Sequence, residues 1–341
     1  MVATEKLPAL NAPVENFSRG LFQAEIPGLG NPIRGKVRDN WIINKGSQQF
    51  RLMVTTDRQS AYARTVCTVP GKGQISNLIS AFWFEHTKDI IPNHMIMVPH
   101  LNILLARQAK AVVPVEVVLR RYLARGISPT SVYHNYFNLG RREIYGIKFP
   151  DDLRVDQEFP MGTILTPTTK ARNGHDQELT NIQACELADG NLRDGTWDKV
   201  KSSAFEIFER ARAFSLSRGL ILADTKMEFG LDSEDNLILI DEVLTPECSR
   251  FWPCNKYADR FTSGENQDID KDVLLRWLIN NGFVGEGVVP KIPSDVINQM
   301  AEIYEVPYRM IMGKDLLPLT DSKLVSEVAS QCVYKLLEDN N

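Results

Sequence analysis

One stretch constrains this chain more than any other: Leu222-Ala-Asp224-Thr-Lys226-Met-Glu228-Phe-Gly230. In a β-strand alternate side chains share a face, so Asp224, Lys226 and Glu228 line one side while Thr225, Met227 and Phe229 line the other. Three consecutive charges facing one way on an apolar strand are costly if that face is covered, unless they meet partners or a ligand. The run Leu237-Ile-Leu-Ile-Asp241-Glu242 follows after the turn-forming Asp232-Ser-Glu-Asp-Asn236, which predicts a hairpin over 220–229 and 237–243. Folding about residues 233–235 brings Asp241 beside Lys226 and Glu228, within a residue or two of register. Two carboxylates and a lysine at one hairpin mouth suit Mg²⁺, which takes one or two carboxylates together with substrate phosphates. The plainer alternative is a solvated strand face laced with cross-strand ion pairs. Four continuous apolar residues at 237–240 weigh against it, since they predict a strand buried on both faces.

Periodicity organises the rest. Lys36–Ile43 and Phe50–Thr55 read as strands around the turn Asn44-Lys45-Gly46. Ile75, Leu78, Ile79 and Phe82 fall at helical spacing and predict a helix from Gln74 to about Lys88. Val112–Arg120 returns to a β pattern, with Glu116 and Arg120 on one face. Residues 125–176 read as functional loops rather than core. Thr180-Asn-Ile-Gln183 is a capping box opening a helix to about Ala188. A longer helix carries Val200, Ala204, Ile207, Phe208 and Ala211 on one face and stops at Gly219. Val273–Asn280, Ser294–Gly313 and Ser322–Glu338 read as helices. Hairpins dominate and helices segregate, which predicts α+β: an antiparallel-sheet lobe, then a second α+β lobe with C-terminal helices. The expected divisions are an extension over 1–30, the first lobe over 31–111, a central lobe carrying the metal and substrate residues over 112–265, and a helical region over 266–341.

Composition excludes some functions. A net charge of −4 over 341 residues argues against a general nucleic-acid or membrane-surface binder. No apolar leader and no run long enough to span a bilayer is evident. The five cysteines are odd in number and scattered, as for reduced thiols in a cytoplasm; Cys248 and Cys254 lack a second pair at zinc spacing. Oligomeric state is not legible.

Asp224-Thr-Lys-Met-Glu-Phe-Gly230, followed by Ile240-Asp-Glu-Val-Leu-Thr-Pro-Glu-Cys-Ser-Arg-Phe-Trp252, resembles the signature of the SAICAR synthetases, with both halves in order and at the right separation. Arg34-Gly-Lys-Val-Arg-Asp39 resembles that family's nucleotide loop, Thr56-Asp-Arg-Gln-Ser-Ala-Tyr62 its Asp-Arg motif with Ala63 in place of an aspartate, and Val113–Arg120 a further signature. Pro70-Gly-Lys-Gly73, Thr166-Pro-Thr-Thr-Lys170 and Gly174-His-Asp176 also match, while Glu247 stands where the family has Asp. The likeness runs from about residue 34 to 285.

The resemblance implies an ATP- and Mg²⁺-dependent ligase that joins carboxyaminoimidazole ribotide (CAIR) to L-aspartate. It implies nucleotide contacts at Lys36, Arg38 and Glu116, metal at Glu228 and Asp241, and substrate contacts at Arg120, Ser128, Lys170, His175, Asp224, Lys226, Ser249 and Arg250. The catalytic set is then Lys226, Glu228 and Asp241. Ser128 enters as a substitute, because the family's Gly-Ser pair is replaced by Ala124-Arg-Gly-Ile-Ser128. Two other readings stay open. A small-molecule phosphotransferase would need no aspartate, although kinase motifs are missing. A paralogue that binds but does not turn over is kept open by Ala63 and the altered loop.

Overall fold

The computed structural model describes residues 12–62, 64–126, 128–170, 176–265, 272–318 and 321–338. In chain order, β1 (Ile33–Arg34), β2 (Arg38–Lys45), β3 (Gln48–Thr55), β4 (Arg58–Ala61) and β5 (Arg64–Thr68) lead into α1 (Lys72–Thr87). Then come β6 (Met95–His100), β7 (Ile103–Arg107), β8 (Ala111–Val112), β9 (Val115–Arg120), β10 (Glu143–Ile144), β11 (Ile147–Lys148), β12 (Ile164–Leu165) and β13 (Thr168–Thr169). After α2 (Asn181–Asn191) and α3 (Thr196–Ser217) follow β14 (Leu220–Leu231), β15 (Leu237–Ile240) and β16 (Ser249–Pro253), then α4 (Cys254–Ser263), α5 (Asp272–Asn280), α6 (Ser294–Met312) and α7 (Ser322–Glu338). All pairings between these strands are antiparallel, in keeping with the α+β expectation.

Contacts divide the chain into two units. One comprises 1–82, 95–108 and 270–341, the other 83–94 and 109–269. The first is built on a five-stranded sheet ordered β1-β2-β3-β7-β6. Alternation sends Trp41 and Ile43, Leu52 and Val54, and Ile103 and Leu105 to one face, where Val325, Ala329, Cys332 and Val333 of α7 cover them. The β2–β3 hairpin pairs Lys45 with Gln48 across Gly46, whose φ is +59°, so the strands run two residues further into the turn than their hydrophobic pattern predicts. Close approach fixes one glycine: a Cβ on Gly73 would lie 2.5 Å from the Thr55 carbonyl oxygen.

The second unit is organised around β14. Its twelve residues are flanked by β16 over 220–225 and β15 over 228–231, and on the other edge by β9 over 224–227 and β8 over 230–231. The stretch read as one strand over 112–120 is split in two at Val113-Pro114, since proline cannot donate to a ladder. Helix α3 packs against β14 and β9 with Val200, Ala204, Ile207, Phe208 and Ala211 buried, as their spacing predicts. The capping box at Thr180 and Gln183 forms as predicted, with α2 three residues longer than expected. Residues 125–176 depart from expectation. Leu123, Val132, Tyr136, Ile144, Tyr145, Phe149, Leu153, Phe159 and Ile164 make a buried cluster of their own. Tyrosines and phenylalanines scattered among prolines and glycines carry no periodicity, so this core is invisible to a helix or strand template.

Candidate active site

The charged face of β14 forms two adjacent rows. In the first, Asp224 is paired in register with Arg120 on β9 and with Arg250 on β16. Both guanidiniums donate from Nη1 to the same Asp224 oxygen, Oδ2, at 2.8 Å. Arg120 also donates from Nε to Thr166 Oγ1 at 3.0 Å. The Asp224 side chain is 8% exposed and that of Arg120 12%. One carboxylate between two always-charged guanidiniums leaves an excess positive charge, in the forked geometry that suits phosphate or carboxylate.

The second row is a lysine–carboxylate cluster. Lys226 Nζ lies 2.7 Å from Glu228 Oε1 and 3.4 Å from Glu116 Oε1, and Lys170 donates to the other Glu228 oxygen, Oε2. Burial by itself lowers the Lys226 pKa, but Glu228, Glu116 and Asp241 more than offset that and hold it above its ordinary value. Burial raises the Glu116 carboxyl; Lys226 opposes this, and the Glu228 and Asp176 charges add to it. In the hairpin Glu228 pairs with Ile240, which puts Asp241 one residue past the register of Glu228. There the chain turns sharply: Asp241 has φ +67° and the fully buried Leu244 has φ +54°. A leucine in the left-handed region costs energy, and such strain persists only where surrounding structure over-determines it. Thr245 supplies part of that: its hydroxyl donates to Glu242 Oε2 at 2.5 Å and accepts from the Glu247 amide at 3.1 Å. The face is partly open: Asp224 and Glu228 are buried, while Lys226 is the one residue of β14 that is not.

Two other predicted residues of this unit, Ser249 and Ser128, are not gathered here. The Ser249 hydroxyl pairs with Thr225 at 2.7 Å, on the side of the strand away from the charges. Ser128 is exposed, and its hydroxyl meets Thr130 Oγ1 at 2.9 Å. His175 and Ala63 lie outside the described residues. Lys36 and Arg38 belong to the first unit, in and beside the turn between β1 and β2. Sequence reading missed Ser131, which is 5% exposed. A Cβ built on Gly126 would lie 2.7 Å from Ser131 Oγ and 3.4 Å from Arg250 Nη2, so Ser131 and Arg250 approach Gly126 from the same side. Among the described residues no group of three or more His, Cys, Asp or Glu is arranged to hold a metal. Cys248 is pushed up to about 11 by burial and by Glu242, which makes it a poor nucleophile near neutrality.

Comparison with known proteins gives a consistent answer. The family model described as SAICAR synthetase matches residues 31–292. A protein of Mesorhizobium japonicum named as a putative phosphoribosylaminoimidazole-succinocarboxamide synthase 2 is 38% identical over 318 residues, covering 92% of this chain and 99% of its own length. The phosphoribosylaminoimidazole-succinocarboxamide synthase of Legionella pneumophila strain Lens is 39% identical over 299 residues, 87% of this chain and 92% of that one. Among solved structures, the SAICAR synthase of Saccharomyces cerevisiae in complex with SAICAR superposes with a TM-score of 0.72 at 30% identity, covering 87% of this chain and all of the other. With a family model spanning most of its length and relatives matched nearly end to end, the chain belongs to the SAICAR synthetase family.

Proposed function

We propose that this chain is an ATP-dependent amide ligase of purine biosynthesis that joins CAIR to L-aspartate, giving SAICAR, ADP and phosphate. The observation that carries the site assignment is the pair of rows on β14: two arginines sharing Asp224, next to a lysine–carboxylate cluster. The relatives' names state the activity, and the yeast neighbour was solved with SAICAR.

A carboxylate resists amines because its leaving group would be oxide. In the reaction a carboxylate oxygen of CAIR attacks the γ-phosphorus of ATP, and the bridging oxygen leaves with ADP, giving an acyl phosphate. The amine of aspartate, after losing a proton to solvent, then attacks the acyl carbon, and phosphate departs with the bonding pair. Arg120, Arg250 and Ser131 hold the ribotide phosphate, with Ser131 taking the role expected of Ser128, while Asp224 fixes the two guanidiniums. Lys226, kept fully charged, faces the ribotide carboxylate and the oxygens of the transferred group. Lys36 and Arg38 steady the nucleotide phosphates.

The donor set fits a divalent cation. Glu228 and Asp241 are two carboxylates at one hairpin mouth, and the Lys170 ammonium already stands as a cation against Glu228. Glu228 and Asp241 would hold Mg²⁺, which when bound offsets charge on the transferred phosphoryl group. Among the described residues no helix is long and apolar enough to cross a membrane, and we place the reaction in the cytoplasm.

The test is product formation. Purified protein with CAIR, Mg-ATP and L-aspartate is expected to yield SAICAR by mass spectrometry, and omitting aspartate should abolish it. ATP cleavage that yields a phosphorylated small molecule without aspartate would establish the phosphotransferase reading instead. Tight nucleotide binding without turnover would establish the inactive paralogue.

A further inference from the structure

Four consecutive carbonyls, from Gly35 to Arg38, are each taken by a donor of the first unit. Arg58 donates from Nη2 to the Gly35 carbonyl at 3.0 Å and from Nε to that of Lys36 at 3.4 Å. Thr56 gives both its amide, at 2.8 Å, and its hydroxyl, at 2.6 Å, to the Val37 carbonyl. The Gly35 amide closes the turn onto the Arg38 carbonyl at 2.7 Å. No peptide here is cis, and in a trans peptide the N–H points opposite to the C=O it is bonded through. The Gly35 and Lys36 carbonyls point at one edge of the Arg58 guanidinium. The amides of Lys36 and Val37 therefore both point away from it. Among the described residues neither donates to a protein acceptor. Two neighbouring N–H groups aimed the same way beside an exposed lysine make an anion cradle.

Arg58 is itself fixed. Its side chain is wholly buried against that of Asp39, with Nη2 2.8 Å from Asp39 Oδ1, and Nη1 donates to the Phe22 carbonyl at 2.7 Å. The second Asp39 oxygen takes the Ala24 amide at 2.9 Å and Arg34 at 2.8 Å. Lys72 in turn grips the carbonyl of Arg58 at 2.5 Å.

We propose that Arg58 is a positioning residue for the nucleotide: by holding the Gly35 and Lys36 carbonyls it aims the Lys36 and Val37 amides at a phosphate it never touches. This rests on reading residues 34–39 as the nucleotide loop. The test compares the full-length protein with Arg58→Lys and Lys36→Ala, measuring the Kd for ADP by calorimetry, KM for ATP and for CAIR, and melting temperature. A lysine keeps the charge and cannot span both carbonyls. Arg58→Lys is expected to raise the ADP Kd and the ATP KM about tenfold, the worth of roughly one hydrogen bond, with the CAIR KM unchanged. In the wild-type protein the ¹⁵N–¹H resonances of Lys36 and Val37 should move downfield on adding ADP, a readout that does not depend on any variant folding. A variant with a lower melting temperature and an unchanged ADP Kd would overturn the proposal and leave Arg58 a structural residue. So would Lys36 and Val37 resonances that ignore ADP. If Lys36→Ala itself binds ADP normally and the amides do not respond, the nucleotide-loop reading fails and the proposal falls with it.

Discussion

Replacing Arg120 by methionine separates a substrate role from a structural one. The side chain makes two hydrogen bonds, to Asp224 Oδ2 at 2.8 Å and to Thr166 Oγ1 at 3.0 Å. Methionine keeps most of the apolar stem and removes both. Asp224 is not orphaned, because Arg250 still holds the same oxygen at 2.8 Å. Thr166 is not orphaned either, since its hydroxyl still donates to the Val118 carbonyl at 3.2 Å, so the loss to folding is that of two hydrogen bonds whose partners each keep another, about 1–2 kcal/mol in all, and the melting temperature should fall by only a few degrees. The loss to substrate is larger. If two guanidiniums share the ribotide phosphate, deleting one removes about 2–3 kcal/mol of charge-assisted bonding, which lowers kcat/KM for CAIR roughly 30- to 150-fold. Arg120→Lys should recover part of this, since it restores the charge without the fork. The assay is steady-state ADP release with CAIR varied at saturating ATP and aspartate, then with ATP varied. An unchanged KM for CAIR in a folded Arg120→Met protein would refute the assignment. A change confined to the KM for ATP would move Arg120 to the nucleotide.

Two further outcomes bear on the fold. Gly73→Ala sets a methyl group 2.5 Å from the Thr55 carbonyl oxygen and 2.9 Å from the Thr56 carbonyl carbon; since both are backbone atoms the chain must shift, so thermal or denaturant unfolding should show a loss of about 1–3 kcal/mol. Burial pushes the Cys67 thiol up to about 12 from an ordinary 9.0. The unfolded chain therefore ionises first, and the stability this thiol contributes is intact below pH 9 and lost as pH rises towards 12; melting curves of Cys67→Ala should fall less steeply over that window than those of the wild type.

What the sequence disclosed follows from how local each signal is. Asp224, Lys226 and Glu228 announce themselves because strand alternation is a two-residue rule, and the hairpin register that delivers Asp241 needs only one turn. Thr180, Gln183 and the buried stripe of α3 are likewise local. The partners of Asp224 are not. Arg120 is 104 residues away in sequence, and only its likeness to a family motif selected it from the other arginines. Ser131 was passed over because loop length, not periodicity, decides which serine approaches Gly126 from the side of Arg250. The strands Met95–His100 and Ile103–Arg107 were missed although their runs are apolar, since a short apolar run separates poorly from a buried helix segment. Arg58 is of a residue type that is almost never fully buried unless paired. Its burial follows from the carbonyls of residues 22, 35 and 36 converging on one point, which no spacing rule encodes.

The most direct test of carboxylate activation at the β14 face uses CAIR carrying ¹⁸O in its carboxylate. With ATP, Mg²⁺ and L-aspartate one labelled oxygen is expected in the released phosphate while the other stays in the amide, and Glu228→Gln is expected to abolish the transfer together with product. Amide formed at the normal rate with unlabelled phosphate would contradict that activation.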